Sequence, residues 1–321
     1  MQSEDNLHDL KIINMDEVEI REVSWLWKPY ISYGNITILK GEPGNGKTTL
    51  MLNLIAALTT GIKLPFSESQ NKPINIIYQT AEDSLAETIK PRLVAAKCDC
   101  SRVKVIDDSD KALSFLDSRI EQALEETRAR LIVLDPLQAF LGGRNCNMNL
   151  ASEVRPLMKR LANIGEKYSC AILLVGHLNK GAGTAGQRLL GSTDFHAAAR
   201  SSLLLCRSSE DPQVRILAQD KNSLEKEGDT ITFRIDEDGF TWGEKVEISA
   251  DELLLGGYRE NKVQVAEKLL LDILKNGEVE QKRVWNRAQS LGVSKRTLEQ
   301  AKSNLKVKSK KSGKNWSWSL A

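Results

Sequence analysis

Residues 41–48 of this 321-residue chain satisfy G-x-x-x-x-G-K-[ST] at every fixed position, as Gly41, Glu42, Pro43, Gly44, Asn45, Gly46, Lys47 and Thr48. The pattern suits a phosphate group because backbone N–H groups must curl around its oxygens, which glycines permit. A helix starting at the same place adds the positive end of its dipole. Lys47 is then placed to reach the β and γ phosphates of a nucleotide, and the Thr48 hydroxyl to ligate Mg²⁺. Thr49 carries the nucleotide-binding run into the helix. A chance glycine-rich turn needs no particular context, yet here an apolar strand precedes the loop and a leucine-periodic helix follows it. The expected ligands are ATP and Mg²⁺.

Asp135 closes the run LIVLD. A carboxylate at the C-terminal end of a buried central strand is where the acidic partner of Mg²⁺ belongs in a phosphate-binding sheet. Capping a turn before Pro136 is the plainer role for such an Asp, and the phosphate loop upstream favours the metal role. These groups need a scaffold, and apolar runs supply one. ITILK (36–40), INIIYQT (74–80), VKVID (103–107), LIVLD (131–135) and AILLVGH (171–177) read as strands. Helical patterns alternate with them at 47–58, 81–96, 114–128 and 151–167, and that alternation predicts a mainly parallel sheet covered on both faces. A β-rich stretch follows at 202–206, 214–219 and 230–244, where Asp238-Gly239 marks a hairpin turn. Beyond a boundary at Gly256-Gly257-Tyr258 come helical patterns at 262–275, 280–291 and 294–305, then a basic segment ending in Trp316 and Trp318. That order matches a winged helix.

The ordered blocks resemble the RecA-fold ATPases, and within them the RepA/DnaB-like hexameric helicases of plasmids, phages and mobile elements. The resemblance spans roughly residues 20–225. It rests on Trp25-Leu-Trp-Lys-Pro-Tyr-Ile before Gly34, the phosphate loop, Ala81-Glu82-Asp83, LIVLDP, Gly176-His177 and the block from Gln187 to Arg200. It implies a RecA-like sheet; together with the element order, the expected fold is α/β, a RecA-like mainly parallel sheet flanked by helices, with a β-rich extension and a small C-terminal winged-helix domain. It also implies that Glu82 is the base that orients the attacking water, a reading favoured over the helix cap that Thr80-x-Glu82-Asp83 also allows. His177 becomes a γ-phosphate sensor, and Arg188, Ser192 and Arg200 fall where relatives carry DNA-contacting loops, or on a solvated face. Relatives place a Lys-x-Arg pair near Lys221 to reach a neighbouring subunit. Here Lys221-Asn222-Ser223 lacks the arginine, which leaves Lys221 alone or Arg207 or Arg215 as substitutes.

Composition agrees with a globular protein, at 41% hydrophobic and 27% charged residues. MQSEDNLHDL carries no secretory signal pattern, and no apolar run is long enough to span a bilayer, so a cytoplasmic protein away from membranes is expected. Five cysteines without zinc-type spacing read as reduced, packed thiols. Charge is uneven. From Arg259 onward fifteen Lys/Arg face six Asp/Glu, a net +9, against −7 for the rest. A basic tail on an acidic body calls for a polyanionic partner, nucleic acid first. Lys295, Arg296, Thr297, Gln300 and Lys302 would project from a helix capped by Ser294 toward DNA, with Lys306, Lys308, Lys310, Lys311 and Lys314 on the wing. The division expected is an ATPase domain over 1–257 and a DNA-binding domain over 258–321. Two functions compete: an oligomeric, hexameric DNA helicase or translocase, with single strands at the core and duplex at the tail, and an ATP-switched DNA-binding regulator, initiator or recombination factor. A small-molecule kinase would leave the tail idle.

Overall fold

The computed structural model describes residues 12–67, 72–142, 147–178, 184–185, 193–254, 262–275, 277–290, 293–312 and 315–320. The boundary glycines, Arg188, Ser192 and Lys314 lie outside these described residues.

A short ribbon of β1 (Trp25–Trp27) and β2 (Ile31–Ser32) leads into β3 (Ile36–Gly41) and α1 (Lys47–Thr60). Then come β4 (Ile76–Thr80), a π-helical turn at Leu85–Ile89 running into α2 (Lys90–Ala95), β5 (Val103–Lys104), α3 (Arg119–Thr127) and β6 (Leu131–Asp135). After α4 (Ala151–Tyr168) and β7 (Ala171–His177), the short α5 (Thr193–Ala198) precedes β8 (Ser201–Arg207), β9 (Val214–Asn222), β10 (Thr230–Asp236) and β11 (Gly239–Val246). One sheet joins nine of these strands in the order β11-β10-β9-β8-β3-β7-β6-β4-β5. The six from β8 to β5 pair in parallel and the β8–β11 pairs are antiparallel. The mainly parallel α/β sheet expected from the alternating runs is thus present.

Strand alternation explains the two cores. Leu39, Val133, Leu173 and Val175 face α1, where Leu50, Leu54 and Leu58 are fully buried. Ile36, Ile38, Ile132, Leu134, Ile172 and Leu174 face the stripe Val154, Leu157, Met158 and Leu161 on α4. Gly61, in the left-handed region at φ 75°, ends α1 with its N–H bonded to the Ala57 carbonyl.

Several sequence expectations shift in their bounds. The helix expected at 81–96 starts at Leu85, because Ser84 accepts from the Glu87 N–H and Thr80 holds the Glu82 and Asp83 N–H groups. The helix expected at 114–128 starts at Arg119, after a turn pinned by Asp117, which accepts from both the backbone and side chain of Arg119. The strand expected at 103–107 is two residues long at the sheet edge.

The C-terminal part adds α6 (Ala250–Leu254), α7 (Lys262–Leu274), β12 (Val279–Glu280), α8 (Gln281–Ser290), α9 (Lys295–Asn304), β13 (Lys308–Ser312) and β14 (Asn315–Ser319). From α7 onward these elements have their own core, in which Leu270, Val284, Leu298, Ala301 and Trp318 meet. Their three strands pair in the order β12-β14-β13.

Candidate active site

Strand register gathers the chemistry at one edge of the sheet. Gly41 pairs with His177 across β3 and β7, and Thr80 with Asp135 across β4 and β6. These strands are parallel, so their carboxyl ends form the edge outside which ligands sit in sheets of this kind. The loop between β3 and α1 passes so close to β8 that a Cβ on Gly41 would lie 2.5 Å from the Leu205 carbonyl oxygen. Gly46 needs its lack of a side chain twice over, with φ at +92° and the Ile235 Cδ1 2.8 Å from where a Cβ would stand.

Lys47 is buried, and its Nζ donates to the carbonyl oxygens of Gly41 at 2.9 Å and Glu42 at 3.0 Å. His177 Nδ1 lies 3.3 Å from the same nitrogen. Burial lowers the Lys47 pKa, opposed by the charges of Asp135 and Glu82. Burial and the neighbouring Lys47 likewise hold the His177 pKa below its ordinary value, so it stays a neutral imidazole at pH 7. Thr48 Oγ1 donates to Asp135 Oδ2 across 3.4 Å. Burial pushes the Asp135 carboxyl above the usual carboxylate range, although Tyr78 and Thr48 donate to it and Lys47 attracts it. A partly buried hydroxyl beside a buried carboxylate and a buried lysine fits a divalent cation bound with an anionic phosphate, because the cation relieves the cost of the buried carboxylate. Glu82 is exposed on the turn after β4, near enough for its charge to act on Lys47, Asp135 and His177 together.

Three residues that motif reading left aside, or offered only as substitutes, stand at this edge. Tyr78 donates its hydroxyl to Asp135 Oδ2 at 3.1 Å from inside β4. Arg207 pairs with Arg215 across β8 and β9, and both reach the phosphate loop from outside. Arg207 Nη2 donates to the Gly44 carbonyl at 2.8 Å, and Arg215 Nε to the Asn45 carbonyl at 2.9 Å. Asn45 Nδ2 in turn donates to the Leu205 carbonyl.

Residues 2–183 match the family described as AAA domain, AAA_25. The chain belongs to this family. Its core is a RecA-fold P-loop ATPase. Solved structures support the fold: one isolated ATPase domain superposes with a TM-score of 0.50 at 14% identity, covering 65% of this chain and 85% of that one. The KaiC-like protein of Pyrococcus horikoshii OT3 gives 0.50 at 14% identity, covering 70% and 98%. Among sequences, the DNA repair protein RadA of Bacillus subtilis (strain 168) is 27% identical over 210 residues, which are 65% of this chain and 40% of RadA. RadA of Escherichia coli (strain K12) is 26% identical over 210 residues, 64% and 40%. The chain therefore spans about two fifths of the length of these curated relatives.

The remaining candidates of this P-loop ATPase lie away from the nucleotide edge. Lys221 pairs with Ser202, toward the opposite edge of the sheet, and its Nζ donates to the His196 and Ala197 carbonyls at 2.8 Å each. It thereby caps α5, beside the buried ion pair of Lys40 and Asp220 at 2.5 Å. Arg200 is exposed, with its N–H bonded to the Ile36 carbonyl at the start of β3. In α9, Lys295, Arg296 and Gln300 are exposed, while Thr297 Oγ1 sits 2.7 Å from the capping Ser294 Oγ. The expectation that Lys302 projects outward is corrected: its ammonium lies 4.5 Å from the Trp318 ring centroid, and its side chain is 21% exposed. Among the described residues no helix is long and apolar enough to cross a membrane.

Proposed function

We propose that this ATPase is a DNA-directed motor, an oligomeric, Mg²⁺- and ATP-dependent helicase or translocase of the RepA-like kind. The observation that carries the reading is the convergence of Lys47, Thr48, Asp135 and His177 at one sheet edge with Glu82 on the adjoining turn. That set suits turnover of ATP, where simple retention would need the loop alone. In this reading the Glu82 carboxylate orients the attacking water and accepts its proton. Lys47 exchanges its loop carbonyls for phosphate oxygens, and neutral His177 reports the γ-phosphate through its ring nitrogen. Mg²⁺ held by Thr48 and Asp135 would offset the charge on the phosphates.

DNA enters as the partner on two supports. The RadA relatives are named for DNA repair, and residues 259–321 carry a net +9. We read α7 to β14 as a winged-helix domain, with residues 1–257 as the ATPase domain and 258–321 as the DNA-binding one. A homo-oligomer, hexameric in the RepA pattern, would complete the site from a neighbour. One observation favours a second reading, an ATP-switched DNA-binding regulator, initiator or recombination factor: Lys221 has no arginine two residues on, and it is tied to α5 within its own subunit.

The test is steady-state ATP hydrolysis without DNA, with single strands and with duplex, taking Lys47→Ala as the inactive blank. The motor requires stimulation by single strands. Slow turnover indifferent to single strands, or raised by duplex alone, selects the regulator.

A further inference from the structure

Period-2 alternation along β14 puts Trp316 and Trp318 on one face of the small C-terminal sheet. Trp318 is 2% exposed and anchors the core, whereas Trp316, nearer the hairpin end, is 45% exposed. Cross-strand pairing sets Lys311 opposite Trp316, with its ammonium 5.9 Å from the ring centroid. Lys308 and Lys310 are exposed on the same strand, β13, an edge of the sheet, where alternation turns them to the face opposite Lys311 and Trp316. Lysines alone on an edge strand serve to keep other strands from pairing there. A half-exposed indole opposite Lys311 does not serve that purpose, and it gives that face an affinity for flat π faces.

The neighbouring helix narrows the ligand. Reading base edges takes hydrogen-bonding side chains aimed at a groove, an amide for adenine and a guanidinium or ammonium for guanine. On α9 the Thr297 hydroxyl is engaged with Ser294, the Gln300 amide with Asn304 at 3.1 Å, and Lys302 with Trp318 and Glu299. The cations this unit turns outward are Lys295 and Arg296 on α9, Lys311 on the face of β13 that carries Trp316, and Lys308 and Lys310 on its other face, with one aromatic face beside Lys311. Cations along a strand with an aromatic platform are the chemistry of sequence-tolerant single-strand binding, since every base has a π face.

We propose that Trp316 and Lys311 form a stacking site for an unpaired nucleotide, the indole taking the base and Lys311 a flanking phosphate. The site rests on the reading of DNA as the partner and makes the C-terminal unit a single-strand grip.

The test measures binding of a fluorescent oligo-dT and of a blunt duplex to the full chain, by anisotropy. Trp316→Ala weakens oligo-dT binding about tenfold or more, the scale of one base–aromatic stack. It leaves duplex binding within about twofold, and Trp316→Phe restores most of the single-strand affinity. Oligo-dT quenches tryptophan emission in the unaltered protein, and less in Trp316→Phe, a readout that does not depend on the alanine variant folding. Unchanged oligo-dT binding in Trp316→Ala, or an equal loss for both DNAs with no rescue by Phe, overturns the site while leaving the DNA reading intact. Failure of the unaltered protein to bind either DNA overturns both. ATP hydrolysis without DNA stays the same in all variants, because Trp316 belongs to a separate unit from the nucleotide edge, built on its own core.

Discussion

At the scale of single residues, the nucleotide edge separates holding a nucleotide from turning it over. Glu82 is exposed and reaches the other groups through its charge, while Lys47 and Asp135 are buried. Glu82→Gln keeps the shape and removes the proton acceptor. It should bind ATP with nearly unchanged affinity and lose about 10²–10⁴-fold in turnover, the usual worth of a positioned base; parallel equilibrium binding and hydrolysis measurements check this, and normal turnover would remove Glu82 from the role. Asp135 gives a prediction of opposite sign for stability. Burial raises its carboxyl pKa in the folded state, so its stabilising influence is complete below the unfolded value and is lost as pH rises through the folded one. At neutral pH the ligand-free protein carries that loss. Asp135→Asn should therefore raise the thermal midpoint of the ligand-free protein at pH 7, shrink that gain toward acid pH, and still abolish hydrolysis. A lower midpoint at pH 7 would show that the hydroxyls of Tyr78 and Thr48 need the charge more than burial opposes it.

At the scale of elements, the β8–β9 pair is a brace for the phosphate loop. Arg215 is 6% exposed, and its bond to the Asn45 carbonyl helps fix the peptide whose N–H groups must face phosphate. Removing a buried charge-assisted donor costs about 1.5–3 kcal/mol. Arg215→Ala should weaken ATP binding roughly tenfold or more and leave turnover at saturating ATP within a few-fold, with Arg215→Lys recovering part of the affinity. A fall in saturated turnover with unchanged binding would instead make Arg215 part of the reacting centre. The brace also marks the limit of what the sequence discloses. Gly41 to Thr48, the strand ending at Asp135 and the strand ending at His177 are legible because each is a local pattern whose chemistry travels with it. Arg207 and Arg215 are not, since their approach to the loop depends on antiparallel register between two strands and on β8 lying beside β3. Tyr78 was hidden for the same reason, inside an apolar run that gives no hint of a polar partner one strand away. Lys302 was misplaced because a lysine stem covers an indole as readily as it reaches solvent.

At the scale of the whole molecule, two arrangements set the expectation for assembly. The rim of the phosphate loop, at Glu42, Pro43 and Gly44, is exposed, while Lys221 is held against α5 toward the far edge of its own sheet. If a second subunit covers the nucleotide edge, ATP and Mg²⁺ join the contact and must favour the assembled state by mass action, since a ligand bound between subunits binds only the assembly. The bodies, at −7, repel one another while each +9 tail attracts a neighbouring body, and both effects weaken as salt shortens the screening length to about 8 Å near physiological strength. Light scattering of the full chain at that ionic strength should therefore show a rise in mass on adding ATP and Mg²⁺, reaching a closed ring of several subunits. Lys47→Ala should abolish the rise, while Glu82→Gln, which still binds ATP, should hold the assembly longer than the unaltered protein. A mass that ATP leaves unchanged in all three would remove the ring, and the motor built on it, and leave the ATP-switched regulator acting through its own subunit.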